Sequence, residues 1–226
     1  MKHHKHVCQV GNFENPNTKK FWNEKIAISG ENLLKSPIYI QKNKWIVKAI
    51  ENISGKLLDV GIGYGYLEEL IVKNKLNFQL NGVDISNYAI NSASKKFDGV
   101  FKVAGVDKIP FADNIFDCVL ALDVLEHIPT VKLPEALLEM NRVLKKGGMF
   151  IVSVPLNESK IDKIMNGHLK EFNTDTIKSE IQKAEFLVTK IKYLYAFRSL
   201  VLVKNLINNI FKIKLPNLVI LISHKI

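Results

Sequence analysis

The chain has 226 residues, 47% hydrophobic and 24% charged, enough for one globular domain with a sizeable core; disordered, collagen-like and small disulfide-stapled chains are excluded. Its formal charge of +10 rests on 32 basic residues, of which only Arg142 and Arg198 are arginine. Residues 1–60 hold ten Lys against five acids, residues 61–185 fifteen bases against seventeen acids, and residues 186–226 seven bases and no acid. The basicity therefore belongs to the flanks, where it serves solubility or forms a rim for an acidic partner.

In chain order, the first periodic segment is 42–53, a helix with Trp45, Ile46, Ala49 and Ile50 on one face. Short apolar runs closed by Gly, Asp or Pro then predict strands at 57–61, 78–84, 100–104, 116–122 and 149–154. Helices are predicted between them at 66–73, 87–96 and 133–144. In the last, Leu133, Leu137, Met140 and Leu144 recur every three or four residues, and Gly147-Gly148 is expected to stop it. A helix at 174–184 and a strand at 186–195 follow. Residues 199–214 break the alternation: Leu200, Val203, Leu206, Ile207 and Ile210 form one stripe, with Lys204, Asn208 and Lys212 elsewhere. This basic amphipathic helix precedes a last strand at 217–223 and is expected to act as a lid or contact surface around 196–215.

Alternating strand and helix imply right-handed crossovers, hence an α/β domain: a doubly wound, mainly parallel seven-stranded sheet with helices on both faces. An N-terminal extension, 1–37, is expected to precede a single domain, 38–226. In such sheets ligands lie beyond the carboxyl ends of the strands, near the switch in strand order. Cys8 and Cys118 are too few for a disulfide framework or zinc site, and Cys118 reads as a small buried hydrophobe. The N-terminus lacks the apolar run of a signal peptide, and no stretch of about 18 apolar residues suggests a spanning helix. A cytoplasmic location is expected, peripheral to the membrane if the 199–214 helix meets lipid. The cluster His3, His4 and His6 reads as a solvated terminus, and the pattern calls for no metal.

The most informative segment is LLDVGIGYGYLEEL, residues 57–70: an apolar strand with Asp59, then Gly61, Gly63 and Gly65, then a helix. Glycine allows a sharp turn at positive φ and close approach of a ligand to the backbone, and the helix start offers free N–H groups. A dinucleotide fingerprint would need Gly at 66, where Tyr66 stands. The spacing is G-x-G-x-G, with an acid two residues ahead. Asp84, nineteen residues after Gly65, closes the next strand in GVDIS.

Four ordered segments across about residues 40–185 resemble the class I S-adenosylmethionine-dependent methyltransferases, of the small-molecule type 11 kind. They are DVGIGYG, GVDIS, KIPFADNIFDCVLALDVLEHIP and LLEMNRVLKKGGMFIVSVP. The resemblance implies a Rossmann-like methyltransferase fold and S-adenosyl-L-methionine as cofactor. It places Asp59, Gly61, Gly63 and Gly65 in the loop under the methionine part and Asp84 on the ribose hydroxyls, which a carboxylate can accept in pairs. The family's acid after the third strand falls on Gly105 here, so Asp107, or the main chain of Val106 with the face of Ile85, is left to hold adenine. Asp117 is expected to be structural, and Asp123 and Glu126 to shape the methionine and acceptor ends.

Methyl transfer from a sulfonium chiefly needs alignment and exclusion of water. A hydroxyl acceptor gains from a general base, for which His127, with an ordinary pKa near 6.5, and His168 are the candidates. The expected activity is methyl transfer to a small-molecule or lipid-like acceptor at oxygen or carbon, with peripheral membrane contact through 199–214. The other readings are an RNA or protein methyltransferase and a non-catalytic cofactor-binding protein. Scarce arginine and no separate RNA-binding module argue against nucleic acid.

Overall fold

The structure, a computed structural model, describes residues 16–34, 36–195, 206–207, 210 and 215–226. Side-chain alternation explains its layers. In the strands Gly55–Val60 (β1), Phe116–Leu122 (β4) and Leu144–Pro155 (β5), successive residues face opposite sides of the sheet. Leu57, Cys118, Leu120 and Ile151 pack against Ile46, Ile50, Leu67 and Ile71. These come from helices Pro37–Ile50 (α2) and Tyr66–Lys73 (α3). Leu58, Val119, Ala121, Phe150 and Val152 face the other way, onto Leu137, Met140, Ile177 and Ile181 of helices Leu133–Val143 (α5) and Thr174–Lys183 (α7). Both faces of the central strands are thus covered, which accounts for their continuous apolar runs.

With Phe78–Asp84 (β2), Gly99–Val103 (β3), Phe186–Leu194 (β6) and Leu218–Lys225 (β7), the seven-stranded sheet has the order β3-β2-β1-β4-β5-β7-β6. β1 pairs in parallel with both β2 and β4, so strand order reverses at β1. β7 is antiparallel to both β5 and β6, the one departure from a parallel sheet. The doubly wound, Rossmann-like architecture is as expected.

Three elements escaped the sequence reading. Helix Lys19–Leu34 (α1) docks Ile26 on Ala89, Ile90 and Ala93 of Asn87–Lys96 (α4). A 3-10 turn spans Leu125–His127. The short helix Lys160–Asn166 (α6) buries no side chain; it is held by Ser159, which accepts from the Asp162 N–H, and by left-handed Gly167 at its end. Its stability comes from local capping, to which hydrophobic periodicity is blind.

One expected boundary is corrected. α5 ends at Val143, before the glycine pair, because Leu144 is already extended and pairs with Phe116. Gly147 and Gly148 instead lie in the irregular first half of β5, where the register jumps from Phe116↔Leu144 to Cys118↔Met149. Asp117 is structural as expected, accepting the Lys56 N–H at 2.8 Å and pairing with Lys145 at 2.6 Å. Of the helix expected at 199–214, residues 206, 207 and 210 are helical; the remainder lies outside the described residues, as do Cys8 and the N-terminal histidines. No helix among the described residues is long and apolar enough to cross a membrane.

Phe150 and Phe186 are buried with rings stacked 4.5 Å apart, joining β5 to the edge strand β6. Phe150→Ala is expected to remove about 3–5 kcal/mol of stability, read as a lower urea midpoint at unchanged slope.

Candidate functional site

β1 delivers the chain into a turn that only glycine can take at its first position. Gly61 has φ +80°, and a Cβ there would stand 2.5 Å from Val124 Cγ2, just after β4. The Gly61 and Ile62 N–H groups both donate to the Val83 carbonyl, and the Gly63 N–H donates to Asp84 Oδ2 at 3.0 Å. The other Asp84 oxygen accepts the Ser86 N–H at 2.8 Å. Burial raises the Asp84 carboxyl while these two donors oppose the rise. Ser86 in turn caps α4 and donates to Asn23 of α1, so the acid sits in a rigid frame.

A cavity of about 690 Å³ opens along the carboxyl edge of the sheet. Asp59, Gly61, Gly63 and Asp84 line it, with Ile85, Val106 and Asp107 on the β2–β3 side. Asp123, His127 and His168 line it from the elements after β4 and β5. Gly65 does not: it starts α3 in the left-handed conformation, and its α-carbon faces the Phe97 ring. Asp107 is held at the cavity rim by Lys132 at 2.9 Å, which keeps its carboxyl below the usual range.

Several lining groups come from segments ahead of β1 that carried no motif: Trp22 and Lys25 of α1, and Tyr39 and Lys42 of α2. Lys42 is buried, pairs with Asp123 at 2.5 Å and lies 4.7 Å from the Tyr39 ring centre. Asp123 has φ +56°, a conformation costly for any residue with a Cβ; the Ser153 hydroxyl, donating to it at 2.6 Å, and Lys42 together hold it there. Burial, then the Asp123 charge, raises the Tyr39 phenol. Asp59 and Glu68 lie against each other on the cavity wall, and among the described residues no other group hydrogen-bonds Asp59 Oδ1 or either Glu68 oxygen. Burial pushes Asp59 up to about 7, and burial with the Asp59 charge raises Glu68.

The expectation for His127 needs correction. Burial first, then the neighbouring His168, lowers its pKa from 6.5 to about 3, so it is a neutral imidazole at pH 7 and a weak proton acceptor. Its Nδ1 faces the Gly167 carbonyl at 3.2 Å, and the Trp22 ring meets it edge-on at 4.7 Å. The His168 ring lies 4.7 Å from that of His127, and its Nδ1 is 2.6 Å from Glu158 Oε2. Glu126, beside them, is fully buried, raised by burial and then by Asp123.

Two outcomes follow. Gly61→Ala is expected to lose about 1–3 kcal/mol in denaturant unfolding through its positive φ and its clash with Val124. Asp59 is raised from 3.8 to about 7 on folding, so the folded chain binds more protons than the unfolded one between those values and stability falls as pH rises from about 4 to about 7. The fall is expected to be shallower in Asp59→Asn, measured by thermal melting across that window.

Residues 58–152 match the family model described as a methyltransferase domain. The ubiquinone/menaquinone biosynthesis C-methyltransferase UbiE of Desulfotalea psychrophila is 31% identical over 115 residues, 48% of this chain and 46% of that protein. An uncharacterised protein of Methanocaldococcus jannaschii is 32% identical over 174 residues, 76% of this chain and 64% of its own length. The chain thus spans between about half and two thirds of these relatives. Among solved structures, the N-methyltransferase NodS of Bradyrhizobium japonicum, in complex with S-adenosyl-L-homocysteine, superposes with a TM-score of 0.71 at 12% identity, covering 92% of this chain and 98% of that one. Residues 58–152 thus match a methyltransferase domain, the chain shares its fold with solved methyltransferases, and S-adenosylmethionine is its expected cofactor.

Proposed function

We propose that the chain transfers a methyl group from S-adenosylmethionine to a small, lipid-like acceptor at oxygen or carbon. The observation that carries this reading is the pairing, in one cavity, of a rigidly framed Asp84 with the buried, mutually adjacent acids Asp59 and Glu68. Each Asp84 oxygen accepts one backbone N–H and keeps lone pairs for the two ribose hydroxyls. Asp59 and Glu68, raised by burial, suit a ligand carrying positive charge, which would restore their ionised forms. Bound, the cofactor supplies a methyl group activated by its sulfonium.

The residues divide the remaining work. Gly61 and Gly63 line the cavity and, having no side chain, would let the cofactor approach the backbone, while Gly65 sets the start of α3. Ile85 and Val106 line the β2–β3 side of the cavity and would flank the adenine; Asp107, engaged by Lys132, would border that end. Asp123, fixed by Lys42 and Ser153, stands between donor and acceptor sides. Across the β4–β5–β7 side, Trp22, Leu156 and Leu218 supply apolar walls while His127 and His168 present nitrogen to the acceptor. The apolar wall, together with the ubiquinone and menaquinone in the printed name of one relative, supports an acceptor with hydrocarbon character. The basic amphipathic segment 199–214 would then meet the membrane in which such acceptors dissolve.

Asp84→Ala is expected to weaken S-adenosylmethionine binding at least tenfold by calorimetry while leaving the melting transition cooperative. His168→Ala is expected to keep that affinity and lower turnover. Incubation with methyl-labelled cofactor and fractionated cell extract should place label in the lipid fraction. Label confined to RNA or protein, or none at all despite cofactor binding, would sink the reading.

A further inference from the structure

We propose that Glu126, His127 and His168 form a binding site for a divalent first-row transition-metal ion at the acceptor side of the cavity. The ligand-capable atoms of the three residues lie within 4.8 Å of one another. Both carboxylate oxygens of Glu126 are buried without a hydrogen-bond partner among the described residues, which is costly for a polar group unless a ligand completes it. Each imidazole has its Nδ1 engaged by an outer partner, as ligating histidines commonly do. His168 Nδ1 faces Glu158 and His127 Nδ1 faces the Gly167 carbonyl, contacts that fix the tautomer and leave Nε2 for a metal.

The charges around the site support a cation. Asp123 and Glu158 add to the field at Glu126; among the cations, Lys42 is paired with Asp123 and Lys25 donates to the Asn166 carbonyl at 2.8 Å. Metal–ligand bonds of about 2.0–2.2 Å need ligand atoms about 3.0–3.5 Å apart, so the ion would draw the three groups inward. Two imidazoles with one carboxylate select zinc-, iron- or cobalt-like ions over magnesium and calcium, whose ligands are oxygens. Three protein ligands leave coordination positions open to the cavity.

The site's purpose rests on the methyltransferase reading; its existence does not. An acceptor hydroxyl bound to the ion would have its pKa lowered, its proton passing to solvent water, and would be held as an oxyanion facing the donor side. The histidines then act through the metal rather than as general bases. Of the two acceptor atoms proposed, this selects oxygen.

The test uses the full chain, stripped with chelator and carrying His3→Ala, His4→Ala, His6→Ala and Cys8→Ser so that the N-terminus binds nothing. Calorimetric titration with Zn²⁺ should find one equivalent, weakened at least 30-fold in Glu126→Gln and in His168→Gln. Glu158→Gln, a positioning change, should weaken it about tenfold. Co²⁺ should give visible bands of nitrogen and oxygen ligation with no thiolate charge transfer. Because a substituted chain could misfold, the stoichiometry and Co²⁺ spectrum of the unsubstituted site decide the matter by themselves. No bound equivalent, or a thiolate spectrum, would overturn the site, as would undiminished binding in the Glu126 and His168 variants. Zn²⁺ binding without methyl transfer would keep the metal site and remove the proposed function; methyl transfer by a metal-free chain would keep the proposed function and overturn the metal's part in it.

Discussion

The arrangement depends on the turn after β1. At Gly61 the backbone passes so close to Val124 that no side chain fits, while the Gly61 and Ile62 N–H groups share the Val83 carbonyl and the Gly63 N–H reaches Asp84. One five-residue turn thereby ties together the ends of β1, β2 and β4, where strand order reverses. A side chain at that point would separate the strand ends, and the cavity edge along with them. The close approach of the turn to the end of β4 follows from the missing Cβ, and the cavity lies along the edge that this approach defines.

The second constraint is electrostatic. Asp59, Glu68, Asp84 and Glu126 are buried around one cavity, with buried Lys42 the cation set among them. Burying carboxyls raises their pKa, and the chain sustains this by backbone donors at Asp84 and by the Lys42 pair at Asp123. Beyond the contact of Asp59 with Glu68, oxygens of Asp59, Glu68 and Glu126 find no hydrogen-bond partner among the described residues. A cavity of this kind favours positively charged ligands although the chain as a whole carries +10. Net charge is a property of the flanks and does not report the character of the site.

The acceptor side is assembled differently from the cofactor side. Asp59, the glycines and Asp84 follow β1 and β2 within a short stretch of chain, so their neighbourhood is local and their spacing carries a signature. Trp22 and Lys42 precede the first strand, and Glu158 and His168 follow the fifth. They meet only because α1 packs on α4 and the chain after β5 folds back, with the Leu169 N–H donating to the Glu126 carbonyl at 2.8 Å. Lys42 sits on a helix whose apolar face was legible, yet nothing in that periodicity distinguishes a buried, paired lysine from a solvated one.

What the sequence determined alone is what local physics controls. Short apolar runs and 3.6-residue stripes marked all seven strands and four of the helices closely, and the G-x-G-x-G turn and Asp84 located the carboxyl edge where the cavity lies. Its errors fell where a long-range contact outranked a local signal: α5 ends because Leu144 pairs with Phe116, not because glycine follows. His127 is shifted because Trp22 and His168 enclose it, which no spacing reveals. Only the tertiary structure could bring Glu126, His127 and His168 together, since their proximity depends on contacts across some forty residues of chain. Backbone propensity acts over a few residues, whereas burial and coordination depend on how distant segments pack.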